Sequence, residues 1–135
     1  MKLLVDSSVW VDYLRGSRNR GSRLLDRAIG NDGILVGDLI LAEVLRGLPD
    51  EKMAKLVLAS LERFDIVTLG GRDIAVLAAD NYRTLRAKGV TVRGTIDLVV
   101  GTWCIVHDIH LLHQDRDYDG MEKWLGLRRW TEGKR

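Results

Sequence analysis

A single cysteine, Cys104, leaves this chain without the means to form an internal disulfide. That suits a reducing compartment. No apolar run is long enough to cross a bilayer. The longest uncharged stretch, "LVVGTWCIV" at 98–106, falls far short of the about 20 residues a membrane helix needs. The opening "MKLLVD" meets Asp6 too early for the apolar segment of a secretory signal, so the expected location is the cytoplasm, with no membrane partner. Neither sign of charge dominates: 21 basic and 19 acidic residues give a net charge of +2, which by itself neither selects nor excludes nucleic acid. Internal repeats, linkers and low-complexity tracts are also missing, and the length fits one domain over residues 1–135. No glycine fingerprint follows the first apolar run, which excludes a dinucleotide site. Ser8 stands where Asp-x-Asp phosphatase chemistry would need a second aspartate.

What is present is the composition of a globular protein, with 46% apolar and 30% charged residues. Short continuous apolar runs alternate with amphipathic stretches. "KLLV" (2–5), "GILVG" (33–37), "IVTL" (66–69) and "IHLLHQ" (109–114) read as buried strands, and "LRRW" (127–130) as an edge strand. Helices are expected over 7–16 behind a serine cap, over 23–31 after an arginine-rich connector at 16–23, and over "LILAEVLRGL" behind Asp38. A further helix restarts at Pro49 and Asp50, with Met53, Leu56, Val57, Leu61 and Phe64 on one face. Ile74, Leu77, Ala78, Tyr82 and Leu85 mark a long one that ends at Gly89, and Thr95 caps the next, whose stripe is Ile96, Val99, Val100 and Trp103. Strands without alternation, each followed by a helix, imply an α/β fold with a mostly parallel sheet of four to five strands.

Ligands of open α/β sheets bind outside the carboxyl ends of the strands. Asp6 and Asp115 fall at the ends of the first and fourth runs, more than 100 positions apart. Glu43 is the lone charge in "LILAEVL" and Asp97 the lone charge in "TIDLVVGTWCIV". A lone carboxylate in a buried helix needs a partner. For Asp97 a salt bridge to Arg93 would serve. Four acids brought to one edge would instead repel one another unless cations are present. Mg²⁺ and Mn²⁺ take oxygen ligands, and such a site suits hydrolysis of a phosphodiester by metal-activated water.

The strings "LLVDSSVWVDYLRG", "LILAEVLRGL" and "TVRGTIDLVVGTWCIVHDIHLLHQDRDYDGM" resemble those of PIN-domain ribonucleases, and more closely the VapC toxins of toxin–antitoxin pairs. The resemblance spans nearly the whole chain. It implies a three-layer α/β/α fold, Mg²⁺- or Mn²⁺-dependent endoribonuclease activity, and inhibition by a cognate VapB antitoxin. Asp6, Glu43, Asp97 and Asp115 match the acidic quartet of the family. Asp117 matches a further acid, so that Asp6, Asp97, Asp115 and Asp117 are the metal ligands it implies. Ser7 fills the hydroxyl position after the first acid, and His113 stands where many relatives have threonine. No acid of the quartet is missing, which favours an active nuclease over a non-catalytic RNA-binding PIN module. An RNase H-like nuclease would also use four carboxylates but should open on an antiparallel meander, whereas this chain enters a helix after Asp6.

Arg15, Arg18, Arg20, Arg23 and Arg27 crowd one segment, and Arg18 and Arg20 are candidate contacts for an RNA backbone. His107, His110 and His113 lack the spacing of one zinc-binding face. Trp10, Trp103 and Tyr82 read as core or partner-facing, while Trp124 and Trp130 are candidates for exposure. Exposed apolar surface there would serve a homodimer or an antitoxin helix. Asp119, in "DYDG", reads as a turn residue.

Overall fold

The structure is a computed structural model and describes residues 1–131. Four strands, β1 (Lys2–Val5), β2 (Gly33–Gly37), β3 (Asp65–Val67) and β4 (His110–Leu112), form one sheet in the order β3-β2-β1-β4. Every pairing is parallel. Leu3, Leu4 and Val5 of β1 are fully buried, as an uninterrupted apolar run requires when both faces of a strand are covered. Among the described residues seven α-helices cover it: α1 (Ser7–Leu14), α2 (Arg20–Ala28), α3 (Asp38–Arg46), α4 (Glu51–Leu61), α5 (Arg72–Ala87), α6 (Thr95–His107) and α7 (Asp119–Leu125). They pack as two sets, α1 against α2 and α3 with α4 beyond, and α5 against α6 and α7. The strand order explains the division. From β1 the chain moves outward to β2 and β3, then returns to place β4 on the other side of β1. Right-handed crossovers in opposite directions put helices on opposite faces. The reversal leaves a crevice between β1 and β4, the switch point at which such sheets bind ligands.

Several boundaries differ from those read in the sequence, each for a local reason. α2 starts at Arg20, not Arg23, because Asn19 and Ser22 exchange side-chain and backbone hydrogen bonds in a capping box. Arg20 is therefore helical rather than part of the connector, and Arg23 and Arg27 follow it on the same helix. Asp6, not a serine, occupies the cap position of α1. Asp38 and Thr95 are first helical residues behind Gly37 and Gly94. Asp38 Oδ1 accepts from the Leu39 N–H at 2.9 Å and the Leu69 N–H at 3.0 Å, which draws the chain off the sheet after β3.

Strand β4 is shorter than the run 109–114, and among the described residues no separate fifth strand follows it. Residues 127–130 contribute one parallel bridge, Leu111 to Arg129, on its outer side. The largest difference is α7, which the turn-like "DYDG" concealed. It sits close against α6: a Cβ at Gly101 would come within 2.3 Å of Met121 Sδ, so only glycine admits the fully buried Met121. Trp10 and Trp103 are core residues as expected, and Trp124 is exposed, but Trp130 is buried.

Candidate active site

Parallel register sets Val5 beside Leu112, and the Asp6 N–H donates to the Leu112 carbonyl at 2.9 Å. The chain thus emerges from β1 and β4 side by side at the switch point. Beyond β4 it turns back on itself. Asp115 caps a 3-10 turn, Arg116–Tyr118, its Oδ1 accepting from the Asp117 N–H at 2.9 Å. Asp97 enters from the first turn of α6. One carboxylate oxygen from each of Asp97, Asp115 and Asp117 lies within 4.8 Å of the others. Asp97 and Glu43 stand near enough for their charges to act on Asp6, and Glu43 acts on Asp97 as well. The structure thus brings Asp97, Asp115 and Asp117 together as the tight group, with Asp6 and Glu43 close enough to interact with Asp97 through their charges.

Among the described residues, no basic side chain forms an ion pair with any of these five acids. The Arg93–Asp97 salt bridge that would have explained Asp97 is not formed. Asp97 meets Tyr118 instead. The buried Tyr118 hydroxyl lies 3.0 Å from Asp6 Oδ1 and 3.2 Å from Asp97 Oδ1, between the two carboxylates. It has one proton and so donates to one of them at a time. Burial, then the charges of Asp6 and Asp97, raise its pKa, so it remains a donor. Ser8 Oγ donates to Asp6 Oδ2 at 3.3 Å, and the Ser7 backbone N–H also donates to Asp6. Burial lifts the pKa of Asp6 to about 6, with Asp97 the next cause and Glu43 a smaller one. Asp97 is lifted to about 6 as well, by burial and then by Asp115, Glu43 and Asp117. Glu43 Oε1 is buried with no hydrogen-bond partner among the described residues. Beneath the site, burial pushes the Cys104 thiol up, so it is a neutral core group rather than a nucleophile.

The far side of the same turn is built differently. The Asp115 N–H donates to His113 Nδ1 at 3.2 Å, which places the ring hydrogen on Nε2, 2.9 Å from Glu122 Oε2. Arg129 Nε also approaches His113 Nε2, but with that nitrogen protonated it donates to Glu122 Oε2, at 2.9 Å. Arg129 reaches Asp119 Oδ1 at 3.2 Å too, so Asp119 is a helix-start residue in an ion pair, not a free turn residue. Burial lowers the pKa of His113, outweighing Glu122. The His113 ring lies 4.6 Å, centroid to centroid, from that of Tyr118. His113 therefore holds the backbone of Asp115 and the ring of Tyr118 together.

An open cleft of ≈ 650 Å³ fronts the acids, lined by Ser8, Arg93, Gln114, Asp115, Arg116 and Asp117. Arg18 lies elsewhere, in a groove of ≈ 300 Å³ with Tyr13, Ser17, Arg23 and Arg27, and Arg20 lines a third, with Arg23 and Arg27. Neither Arg18 nor Arg20 lines the acidic cleft. Sequence reasoning passed over Tyr118, Arg116, Gln114 and Glu122, and discounted Ser8. The one visible signal was Tyr118, an aromatic residue set in a polar run three positions after Asp115.

An α/β sheet with a switch point at β1 and β4, and carboxylates at both strand ends, defines a class of acid-centred α/β proteins. A sequence profile of the PIN domain matches residues 3–123, and the chain belongs to that family. It is 29% identical over 133 residues to the VapC ribonuclease Mb1587 of Mycobacterium bovis and to ribonuclease VapC11 of Mycobacterium tuberculosis, covering 93% of this chain and 95% of each relative. Its fold is similar to the crystal structure of VapBC2 from Rickettsia felis bound to a DNA fragment from their promoter, with a TM-score of 0.74 at 16% identity over 96% of this chain and 98% of that one.

Proposed function

We propose that the chain is a divalent-metal-dependent endoribonuclease toxin, held in check by a VapB-like antitoxin. One observation carries the reading. Asp97, Asp115 and Asp117 hold their oxygens within 4.8 Å of one another, and among the described residues no basic side chain forms an ion pair with them. Ionised, such a group repels itself unless a cation offsets its charge. The donors are all carboxylates, the set that Mg²⁺ takes and Mn²⁺ shares. The buried, unpartnered Glu43 Oε1 fits the same need. When bound, the ion supplies charge neutralisation and water activation at a phosphodiester.

The chain's own residues do the rest. Asp97, Asp115 and Asp117 would hold the ion, with Asp6 beside them as a fourth carboxylate and Glu43 adding to the negative field. Tyr118 and Ser8 fix the carboxylate of Asp6. Ser7 is our candidate for a polar contact to substrate, and Arg18 and Arg20 for RNA contacts outside the cleft. The VapC relatives are ribonucleases by name, and the R. felis structure is of VapBC2, which we read as a VapC-type toxin with its VapB antitoxin. A homodimer in the cytoplasm completes the reading. Among the described residues no helix is long and apolar enough to cross a membrane.

The test is purified chain, free of any partner, incubated with structured RNAs and Mg²⁺. The wild type should cut them, and Asp97→Asn should not. Equal cutting by both, or cutting that survives EDTA, would remove the mechanism.

A further inference from the structure

Arg93 and Arg116 line the same cleft as Asp115 and Asp117, yet neither pairs with an acid among the described residues. Arg93 stands four residues before Asp97, in the non-helical stretch just ahead of Gly94, the N-cap of α6. Arg116 lies between two aspartates in the turn that carries them. Both side chains are exposed at the cleft wall. The cleft thus presents unmet charge of both signs: two guanidinium groups on its wall and a carboxylate triplet beside them.

A ligand that satisfies both must bring anions for the arginines and tolerate a cation at the carboxylates. A phosphodiester chain does both. An acidic peptide would meet the arginines but would be repelled by Asp97, Asp115, Asp117 and their neighbours Asp6 and Glu43. We infer that Arg93 and Arg116 form a phosphate clamp. Each grips an RNA backbone phosphate on one side of the phosphate presented to the acids, and together they orient a single strand across the cleft. Guanidinium groups suit this task because their planar fork matches two phosphate oxygens at once. Phosphate contacts fix register and orientation without reading bases. Gln114 is held on the same wall by its Nε2 donating to Asp12 Oδ2 at 2.6 Å, and Asn19 donates to that same oxygen at 2.7 Å. The wall between Ser8 and Arg116 is therefore anchored to α1 and to the start of α2.

The clamp deepens the nuclease reading, and its test separates the two. Binding is measured by fluorescence anisotropy of a labelled single-stranded RNA in Mg²⁺, with the Asp97→Asn protein so that no strand is cut. Arg93→Ala and Arg116→Ala are added singly and together. Each should weaken binding about tenfold, the loss of one charge-assisted contact. Each should also flatten the slope of log affinity against log salt by about 0.7, the value for one single-strand phosphate. Arg→Lys should keep the salt slope and lose part of the affinity. In the otherwise wild-type chain the two Ala variants should raise KM more than they lower kcat. Unchanged affinity and salt slope would overturn the clamp. So would poly-glutamate binding as tightly as RNA with the same arginine dependence, which would point to an acidic protein segment as the occupant. Arginine-dependent RNA binding without Mg²⁺-dependent cutting by the wild-type chain would sustain the clamp and overturn the nuclease.

Discussion

Between residues 115 and 122 the chain carries four acids, and they fall into two pairs treated in opposite ways. Asp119 and Glu122 are both engaged by Arg129, and Glu122 also accepts from His113. Asp115 and Asp117 face Asp97 across less than 4.8 Å with no basic partner among the described residues. The first pair is ordinary structural neutralisation, the arrangement that holds a turn in place. The second is a group of like charges that the fold forces together. Proximity of acids is common to both, so proximity says little. What separates a fastening from a binding site here is whether the chain supplies its own counter-charge.

The largest expected break in that contrast comes from Asp97→Asn. Removing an ion ligand should cost at least about a hundredfold in RNA cleavage, since outer partners of metal ligands alone cost 10–100-fold. The same change should raise the unfolding midpoint of the metal-free protein, because a carboxylate repelled by Asp115, Glu43 and Asp117 is gone while the amide still accepts from Tyr118. Loss of activity with gain of stability marks a site. Loss of both would mark a fastening. Glu122→Ala should show the reverse balance. It leaves the buried Nε2–H of His113 without its acceptor, at a cost of about 1–3 kcal/mol in denaturant unfolding. Cleavage measured well below the transition should fall less than tenfold.

Protons offer a gentler probe. Asp6 and Asp97 titrate near 6 in the fold against 3.8 ordinarily, so between about pH 4 and 6 the folded chain binds more protons than the unfolded one. Stability of the metal-free protein should then fall as pH rises through that window. Its melting temperature should be higher at pH 5 than at pH 7. Added Mg²⁺ should restore it at pH 7 and do less at pH 5, where protons compete for the carboxylates. A melting temperature that rises with pH across this range, without metal, would contradict the unpartnered cluster.

How much of this was legible beforehand follows from which interactions are local. Uninterrupted apolar runs located all four strands, and an acid closing the first run and another following the fourth pointed to Asp6 and Asp115. Lone charges in apolar runs pointed to Glu43 and Asp97. Those signals are read along the chain. The start of α2 was missed because its capping box uses Ser22 where glutamate or glutamine is the usual cue. α7 was missed because seven residues containing a glycine form a helix only through packing, here Met121 against Gly101. Arg129 with Glu122, and Tyr118 with Asp6 and Asp97, depend on approaches between distant residues that periodicity does not encode.

Tyr118 belongs to both sides of the contrast, and Tyr118→Phe is the finest way to sharpen it. Its hydroxyl sits where a cation would relieve Asp6 and Asp97, while its ring packs on His113, the hinge of the paired side. Phenylalanine keeps the ring and removes only the donor. If the hydroxyl acts as a partial counter-charge that spaces the two carboxylates, cleavage should fall about tenfold, the lower end for an outer partner of a metal site. The hydrogen bond also holds both acids below where burial alone would put them, so its loss should move their titration upward. The difference in metal-free melting temperature between pH 5 and pH 7 should then widen, with the fold intact. A variant with unchanged cleavage and an unchanged pH difference would make Tyr118 a packing residue, leaving Asp6 and Asp97 set by burial and mutual repulsion alone.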